Sequence, residues 1–524
     1  MKNNRKTACL QYTLVLAYLL VYGLVSASFL ELFPFVHSDE GWLAGLTLNM
    51  AEHLDFSVTE SFFDARPRFP HAIKIIYHAL QMVFYFLFGY SARTFRFISL
   101  LAGLLTLFFF YKTAKKLFDR PLFSFGLMVL FSFDIQFIYA SHFARQEMLL
   151  LLSLVLCLYL LLGKEKPYTV KNAVFLSLVT GLSVGLHPNS FLIACMTGLC
   201  GLAYLWHNHS KNFKPLLAYI GATGGIAFVF VAISYCFDPQ FITHYLANGA
   251  LEFDINAAPG DRLSSLFAFF SRLFSRTGGT YYVADIRFQL LLFTGAFVLL
   301  FFFYLVMKKE DAALCEKLLL LLSASLGILA GIFIIGRYSQ LSIVFFFPIG
   351  WLLVAYTLRL FERPLQIAGL IVLTICTLFL SIKEIRTAVN TPSHADYLEQ
   401  ISDYVLPESN VIGNLNMNFY FANGALHDYR NLPYVMDTDG CLDTYIEKNN
   451  IEYIFYTDEL TYYFEHRPYY NTLYGNIMFA EALLAYCREH CELVGSFENP
   501  QYAPRILELI GNPEYGTVYV YRVK

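Results

Sequence analysis

The sequence predicts an all-α polytopic membrane domain followed by a small soluble α/β domain, on three observations. The chain is 57% hydrophobic and only 15% charged, with a mean hydropathy of +0.51, whereas soluble domains carry about 25% charged residues. Apolar runs of membrane-crossing character recur up to residue 381. From about residue 385 the composition turns polar and mixed, with short β-type stretches VIGN, IEYIFY and TVYVYRV between turn-rich and helix-like pieces. The expected division is therefore 1–384 for the membrane domain and 385–524 for the α/β domain.

The first element is read from MKNNRKTACLQYTLVLAYLLVYGLVSASFLEL, which has a basic start and an apolar run of about twenty residues, the length that a spanning helix needs. A secretory signal has a shorter apolar core, so the expectation is an uncleaved first helix with its N-terminus in the cytoplasm. Further apolar runs cover 72–89, 95–111, 121–140, 147–163, 173–187, 191–206, 216–236, 289–307, 315–335, 340–356 and 363–381. Together they give about 11–12 apolar helices. A net charge of -3, with Lys and Arg confined to short clusters between the runs, argues against a nucleic-acid partner. The ten cysteines show no repeated C-x-x-C spacing and several lie inside apolar runs, so they point neither to a zinc cluster nor to a disulfide scaffold.

Short cytoplasmic loops collect Lys and Arg. The loops KEKPYTVKN (164–172), HNHSKNFK (207–214), MKKEDAALCEK (307–317) and LRLFERP (358–364) are therefore assigned inside. With the N-terminus also inside, the three runs between 72 and 140 must make two crossings. The 72–89 run is the one expected along the interface, because His71, Lys74, His78 and Gln81 recur at helical spacing and would keep a polar stripe at the headgroups. About eleven crossings follow, with the C-terminal domain outside. The segments HSDEGW, RPRFPH, SHFARQE, LHPNS, the 237–288 loop and GRYSQ then share the outer face.

That face gathers Asp39 and Glu40 of HSDEGW, Arg66 and Arg68 of FFDARPRFP, Arg145 and Glu147 of SHFARQE, and Arg337 of GRYSQ. Ionisable residues held near a membrane are costly, and at a pocket they mark a functional site. A carboxylate can take a proton and the planar guanidinium fork matches a phosphate, so the mixture reads as a base beside a phosphate site. There is no G-x-x-x-x-G-K-[ST] and no G-x-G-x-x-G after a strand, which removes the usual signs of a soluble nucleotide site. A phosphate reaching an outer-face site from within the bilayer fits a polyprenyl phosphate.

In their order, HSDEGW after the first helix, RPRFPH before the second run, FGYSARTFRFISLLAGLLTLFFFYKTAKKLF, SHFARQEMLLLLSLVLCLYLL and GRYSQLSIVFFFPIGWLL resemble the signatures of the GT-C integral-membrane glycosyltransferases. The branch is the one that holds protein O-mannosyltransferases and the bacterial aminoarabinose transferases of lipid A, and the resemblance covers about residues 10–380. It implies a GT-C-like fold that transfers a sugar, with inversion, from a polyprenyl-phosphate-linked donor to a glycan, lipid or protein hydroxyl at the outer face. It places the general base on Asp39, with Glu40 orienting Asp39 or the acceptor. Donor phosphate contacts fall on Arg68, Arg337 and Arg66. Arg68 is followed by Phe69-Pro70 where the family has a Pro-Pro pair. Arg145 and Glu147 correspond to an R-x-[DE] element, and His187 and Tyr338 stand as supporting residues. No cofactor and no metal site is evident in the sequence, and a divalent metal stays open.

Plainer readings compete. Arg145 and Glu147 also suit an interfacial helix start, and His187-Pro188-Asn189 a helix end. Cys487, His490 and Cys491 of CREHC offer too few ligands for a metal by themselves, and the tyrosines of TYYFEHRPYYN are common interfacial residues. A transporter or flippase of lipid-linked sugars would show internal repeats and broken midplane helices; the sequence shows no repeat, and its charges gather at helix ends. A non-catalytic binder of lipid-linked glycans is the other alternative. The terminal YRVK, without a retention signal, and the α/β appendage point to a bacterial plasma (inner) membrane.

Overall fold

Lipid offers no partner to backbone N–H and C=O groups, so apolar runs in this setting close their hydrogen bonds internally, as helices. The computed structural model describes residues 2–163, 166–253, 259–277, 279–306, 312–336, 339–437, 442–466 and 477–524. Its first part contains α1 (Lys2–Ser28), α2 (Ser38–His53), α3 (Ile75–Phe88), α4 (Ala92–Phe118), α5 (Pro121–Ser132), α6 (Ile135–Ser141), α7 (Glu147–Leu162) and α8 (Val170–Leu182). There follow α9 (Ser190–His207), α10 (Lys214–Phe237), α11 (Phe241–Phe253), α12 (Pro259–Ser275), α13 (Arg287–Val306), α14 (Ala312–Ile335), α15 (Phe347–Leu358) and α16 (Arg363–Val389). Among the described residues eight helices are long and apolar enough to cross a membrane, α15 counting with the 3-10 turns Gln340–Phe346 that lead into it; the bent pair α5–α6, taken as one span, brings the number to nine, and three shorter apolar helices join them. This is the multi-helix apolar domain that the composition predicts.

Two runs behave differently from expectation. The 121–140 run is broken, with α5 and α6 bent by 70°. The cause is Asp134, buried in the break, where Oδ1 accepts from the Gln136 N–H at 2.9 Å and Oδ2 from Trp351 Nε1 at 3.1 Å. The 72–89 run shortens to α3, and its polar stripe faces inward instead of toward headgroups. Thr47 Oγ1 donates to Gln81 Oε1 at 2.6 Å and meets His78 Nδ1 at 2.8 Å, while Val83, Phe86 and Leu87 are exposed. A buried polar group needs a partner, and α2 supplies one. The 237–288 segment also departs from a plain loop, since it carries α11 and α12.

After α16 come α17 (His394–Ser402), β1 (Val411–Gly413), β2 (Leu426–Asp428), α18 (Leu432–Asp437), α19 (Leu442–Lys448), β3 (Tyr453–Thr457), α20 (Asp458–His466), β4 (Cys491–Glu498) and β5 (Thr517–Val523). The strands form one sheet in the order β2-β1-β3-β5-β4, parallel for the first three and antiparallel for the pairs β3–β5 and β5–β4. Parallel strands present ligands and partners beyond their carboxyl ends. Here the carboxyl end of β2 meets the loop between α2 and α3: the Asp428 N–H donates to the Phe62 carbonyl at 3.1 Å, and Asn431 Nδ2 donates to Phe62 O and to Asp64 Oδ1, each at 2.9 Å.

The α/β domain therefore sits on the loops at the Ala92 end of α4. Around the Phe118 end of that helix the Lys/Arg-rich connections meet one another. Lys317 Nζ lies 3.5 Å from the Lys116 carbonyl, Arg120 Nη1 donates to Gln366 at 2.6 Å, and Asn208 Nδ2 donates to Glu316 at 2.9 Å.

Candidate active site

The sequence supplies the cap that starts α2. His37 Nδ1 accepts from the Asp39 N–H at 3.0 Å, and Glu40 Oε1 accepts from the His37 N–H at 2.9 Å, which satisfies donors that a helix start otherwise leaves open. Two carboxylates in the first turn also suit the positive end of the helix dipole. Successive helical side chains point about 100° apart, so Asp39 and Glu40 serve different faces.

Glu40 turns inward. Its carboxylate takes Arg96 of α4 in a two-bond fork, Nε to Oε2 and Nη2 to Oε1, both at 2.7 Å, and accepts from the Ala144 N–H at 2.8 Å. Arg96 uses its remaining donor, Nη1, on the carbonyls of Leu30 (2.8 Å) and Pro34 (2.9 Å). Both side chains are fully covered. The pair ties the end of α1, the start of α2, α4 and the 142–146 turn to one point.

Asp39 points away from this pair and keeps 15% of its side chain exposed. Arg145, in the turn before α7, donates from Nη1 to Asp39 Oδ2 at 2.9 Å, and its Nη2 stands 3.1 Å from Glu147 Oε1. The Tyr281 hydroxyl donates to the same Asp39 oxygen. Among the described residues Asp39 Oδ1 makes no hydrogen bond, and it lies 3.8 Å from His37 Nδ1. Burial works against the charge on Asp39, but the Arg145 guanidinium and the Tyr281 hydroxyl outweigh it and hold the carboxyl well below the usual range. The Tyr281 ring stacks on His37 with centroids 4.4 Å apart. Burial lowers His37 to about 4, so its imidazole is neutral at neutral pH, and acceptance by Nδ1 leaves the ring proton on Nε2.

Three residues beyond Asp39, and on the same side of the helix, Trp42 opens a second cluster. Its Nε1 donates to Glu60. Glu60 also takes Arg68, Nε to Oε2 at 3.1 Å and Nη2 to Oε1 at 2.6 Å. Burial opposes the Glu60 charge, yet Arg68 and Trp42 hold it down to about 2. The Arg68 guanidinium lies 5.0 Å from the Trp42 ring centroid, and that of Arg66 lies 5.5 Å from Phe63, within cation–π reach.

The structure thus brings Asp39, Arg145 and Glu147 together in one charged chain, and Arg66 and Arg68 onto neighbouring rings. His187 lies in the turn before α9, where its Nδ1 accepts from the Asn189 N–H at 3.1 Å. Arg337 and Tyr338 lie outside the described residues. Of CREHC, Cys487 and Cys491 are buried while the His490 side chain is 56% exposed. Among the described residues no group of three or more His, Cys, Asp or Glu is arranged to hold a metal ion.

The family model of the dolichyl-phosphate-mannose-protein mannosyltransferases matches residues 71–235, a stretch that holds Arg145 and Glu147 and begins after Asp39. Over its full length the chain matches ArnT from Cupriavidus metallidurans. The crystal structure bound to undecaprenyl phosphate matches at 15% identity and a TM-score of 0.50, with 97% of each chain covered. The apo structure gives 16% identity and 0.50, covering 99% of this chain and 98% of that one. The chain has the GT-C fold of ArnT. The Archaeoglobus fulgidus oligosaccharyltransferase tethered to an acceptor peptide is similar at 12% identity and a TM-score of 0.50, over 89% of this chain and 72% of that one. No curated protein matches the chain in sequence.

Within this GT-C fold several site residues escaped the reading of the sequence. Arg96 had a signal, since an Arg inside an apolar run demands a partner, and the partner is Glu40. Gly41 and Gly45 had one as well, a small-xxx-small spacing that permits close approach. Glu60 and Tyr281 sit in connecting segments with no local pattern, and only the fold delivers them.

Proposed function

We propose that the chain is an inverting glycosyltransferase that moves a sugar from a polyprenyl-phosphate donor to an acceptor hydroxyl, with Asp39 as the base and the arginine cluster at the donor phosphate. The observation that carries this reading is Asp39 itself. Its ionised carboxylate has one oxygen fixed by Arg145 and Tyr281 and the other without a hydrogen bond among the described residues, and Trp42, one helical turn on, carries the Arg68 guanidinium over its ring. In a single displacement the acceptor oxygen forms a bond to the anomeric carbon as the bond from that carbon to the phosphate oxygen breaks. The hydroxyl proton goes to Asp39 Oδ1, and the lipid phosphate leaves as an anion. A carboxylate this acidic does not strip a hydroxyl in advance. It takes the proton as the new C–O bond makes that hydroxyl acidic, so its main contribution is orientation and late proton transfer. Arg68, with Arg66 and Arg337 as further candidates, stabilises charge growing on the leaving phosphate. Arg145 fixes Asp39 in its ionised form, and Glu147 fixes Arg145.

The test is a purified-chain assay with a polyprenyl-phosphate sugar, in which donor binding and product formation are measured separately. Asp39→Asn keeps the shape and the Arg145 side of the site but cannot accept the proton. Donor binding should survive while turnover falls about 10²–10⁴-fold. Normal turnover in this variant removes Asp39 from the chemistry.

A further inference from the structure

The segment His427–Asn431 at the end of β2 is buried throughout, with four of its five residues polar or charged. Burying that much polarity is costly unless the groups are used. Asp428 and Asn431 are used within the fold: Asp428 Oδ2 accepts from the Leu415 N–H at 3.1 Å, and Asn431 clamps the α2–α3 loop as described above. Arg430 reaches further. Its Nε donates to Asp428 Oδ1 at 2.9 Å, and its guanidinium crosses from the α/β domain to lie 4.5 Å from the Phe63 centroid and 5.8 Å from that of Trp42. Arg68 stands over the same two rings, at 5.5 and 5.0 Å. Two guanidiniums from different domains therefore converge on one aromatic pair, on the side of α2 that carries Asp39. Each guanidinium keeps a carboxylate of its own, Arg68 on Glu60 and Arg430 on Asp428, and a phosphate drawn to this aromatic pair would be shared between the two planar forks. The Arg430 charge also contributes to the low position of the Asp39 carboxyl, which places it within electrostatic reach of the base.

We propose that Arg430 is a donor-phosphate-binding residue supplied by the C-terminal domain, closing with Arg68 on a single phosphate group beside Asp39. The inference rests on the donor reading above and deepens it: the α/β domain becomes a wall of the donor site. An uncharged lipid of the same chain length fills the apolar part of such a site equally well but draws nothing from the two cations.

The experiment uses the full-length purified chain in nanodiscs, with polyprenyl phosphate and the uncharged polyprenol of equal length as probes. Wild type should prefer the phosphate. Arg430→Gln should reduce that preference about ten- to a hundredfold, the worth of a hydrogen bond to a charged group, and leave polyprenol binding unchanged. Arg430→Lys should recover part of it. Arg522→Gln removes an exposed cation of the same domain, paired with Glu492, and should keep the preference. The proposal falls if Arg430→Gln retains the wild-type preference, or if Arg522→Gln loses it equally. A wild type that does not prefer the phosphate overturns the donor reading and this inference together. Loss of preference in Arg68→Gln alone overturns only the role of Arg430.

Discussion

Glu40 and Arg96 close a two-bond ion pair, both contacts at 2.7 Å, in which neither side chain is exposed. Asp39, the residue before Glu40, looks the other way into the site. The adjacent carboxylates thus divide between holding the fold and lining the proposed site. Breaking a buried pair by neutralising one partner leaves the other charge uncompensated, at a cost of about 3–5 kcal/mol. Glu40→Gln should therefore lower thermal stability in detergent markedly, whereas Asp39→Asn, at a more open position, should lower it much less. Equal melting temperatures for Glu40→Gln and wild type would contradict this division.

The pH dependence follows from Arg145. In the wild type the Asp39 carboxyl stays ionised well below the ordinary carboxylate range, so loss of activity on acidification is expected only at strongly acidic pH. Arg145→Gln removes the cation and leaves burial, which pushes a carboxyl up. The acid limb of the rate profile should move upward by about 1–3 pH units. Tyr281→Phe removes one donor from the same oxygen and should move it in the same direction by less. An acid limb that stays put in both variants would show that Asp39 does not control the rate.

Much of the helical domain was legible because lipid enforces one local solution: most apolar runs become helices close to their predicted limits. What was not legible depended on partners distant in sequence. The stripe of His78 and Gln81 reads equally well as facing headgroups or facing protein, and only the presence of Thr47 opposite it decides. Asp134 is one polar residue in a long apolar run, and its effect on the helix is set by Trp351, more than two hundred residues later. In the site, Asp39, Arg145 and Glu147 were visible as charged residues beside apolar runs. Tyr281, Glu60 and Arg430 lie in connections whose local sequence carries no sign of what the fold brings them against.

The orientation in the membrane is open to a direct measurement. The Lys/Arg-rich connections gather around one end of α4 and the α/β domain docks at the other. With positive loops retained in the cytoplasm, single cysteines placed in 164–172 should be shielded from an impermeant thiol reagent in whole cells. Those placed on the exposed surface of 390–524 should react. Labelling of the α/β domain only after permeabilisation would reverse the assignment and move the Asp39 site to the cytoplasmic side.

The contact that seats the α/β domain on α2 depends on two glycines one helical turn apart. A methyl group on Gly41 would come within 2.6 Å of the Leu415 carbonyl oxygen, and one on Gly45 within 2.5 Å of Asn418 Nδ2 and 2.6 Å of Phe62 Cε1. The Asn418 amide in turn donates to the Gly41 carbonyl at 2.9 Å and to the Tyr90 hydroxyl at 2.6 Å. At Gly45 the obstacles are side chains, which have some freedom to turn; at Gly41 the obstacle is backbone, so the domain itself must move. Gly41→Ala should accordingly cost about 1–3 kcal/mol of overpacking and the more of the two. Its effect should appear as faster proteolysis in the connection between α17 and β1, together with weaker donor binding because Arg430 is drawn back from Trp42. Gly45→Ala should show the same changes in smaller measure. If Gly41→Ala keeps wild-type protease resistance and donor affinity, the seating of the domain on α2 is not what positions Arg430, and the dependence of the site on that contact is wrong.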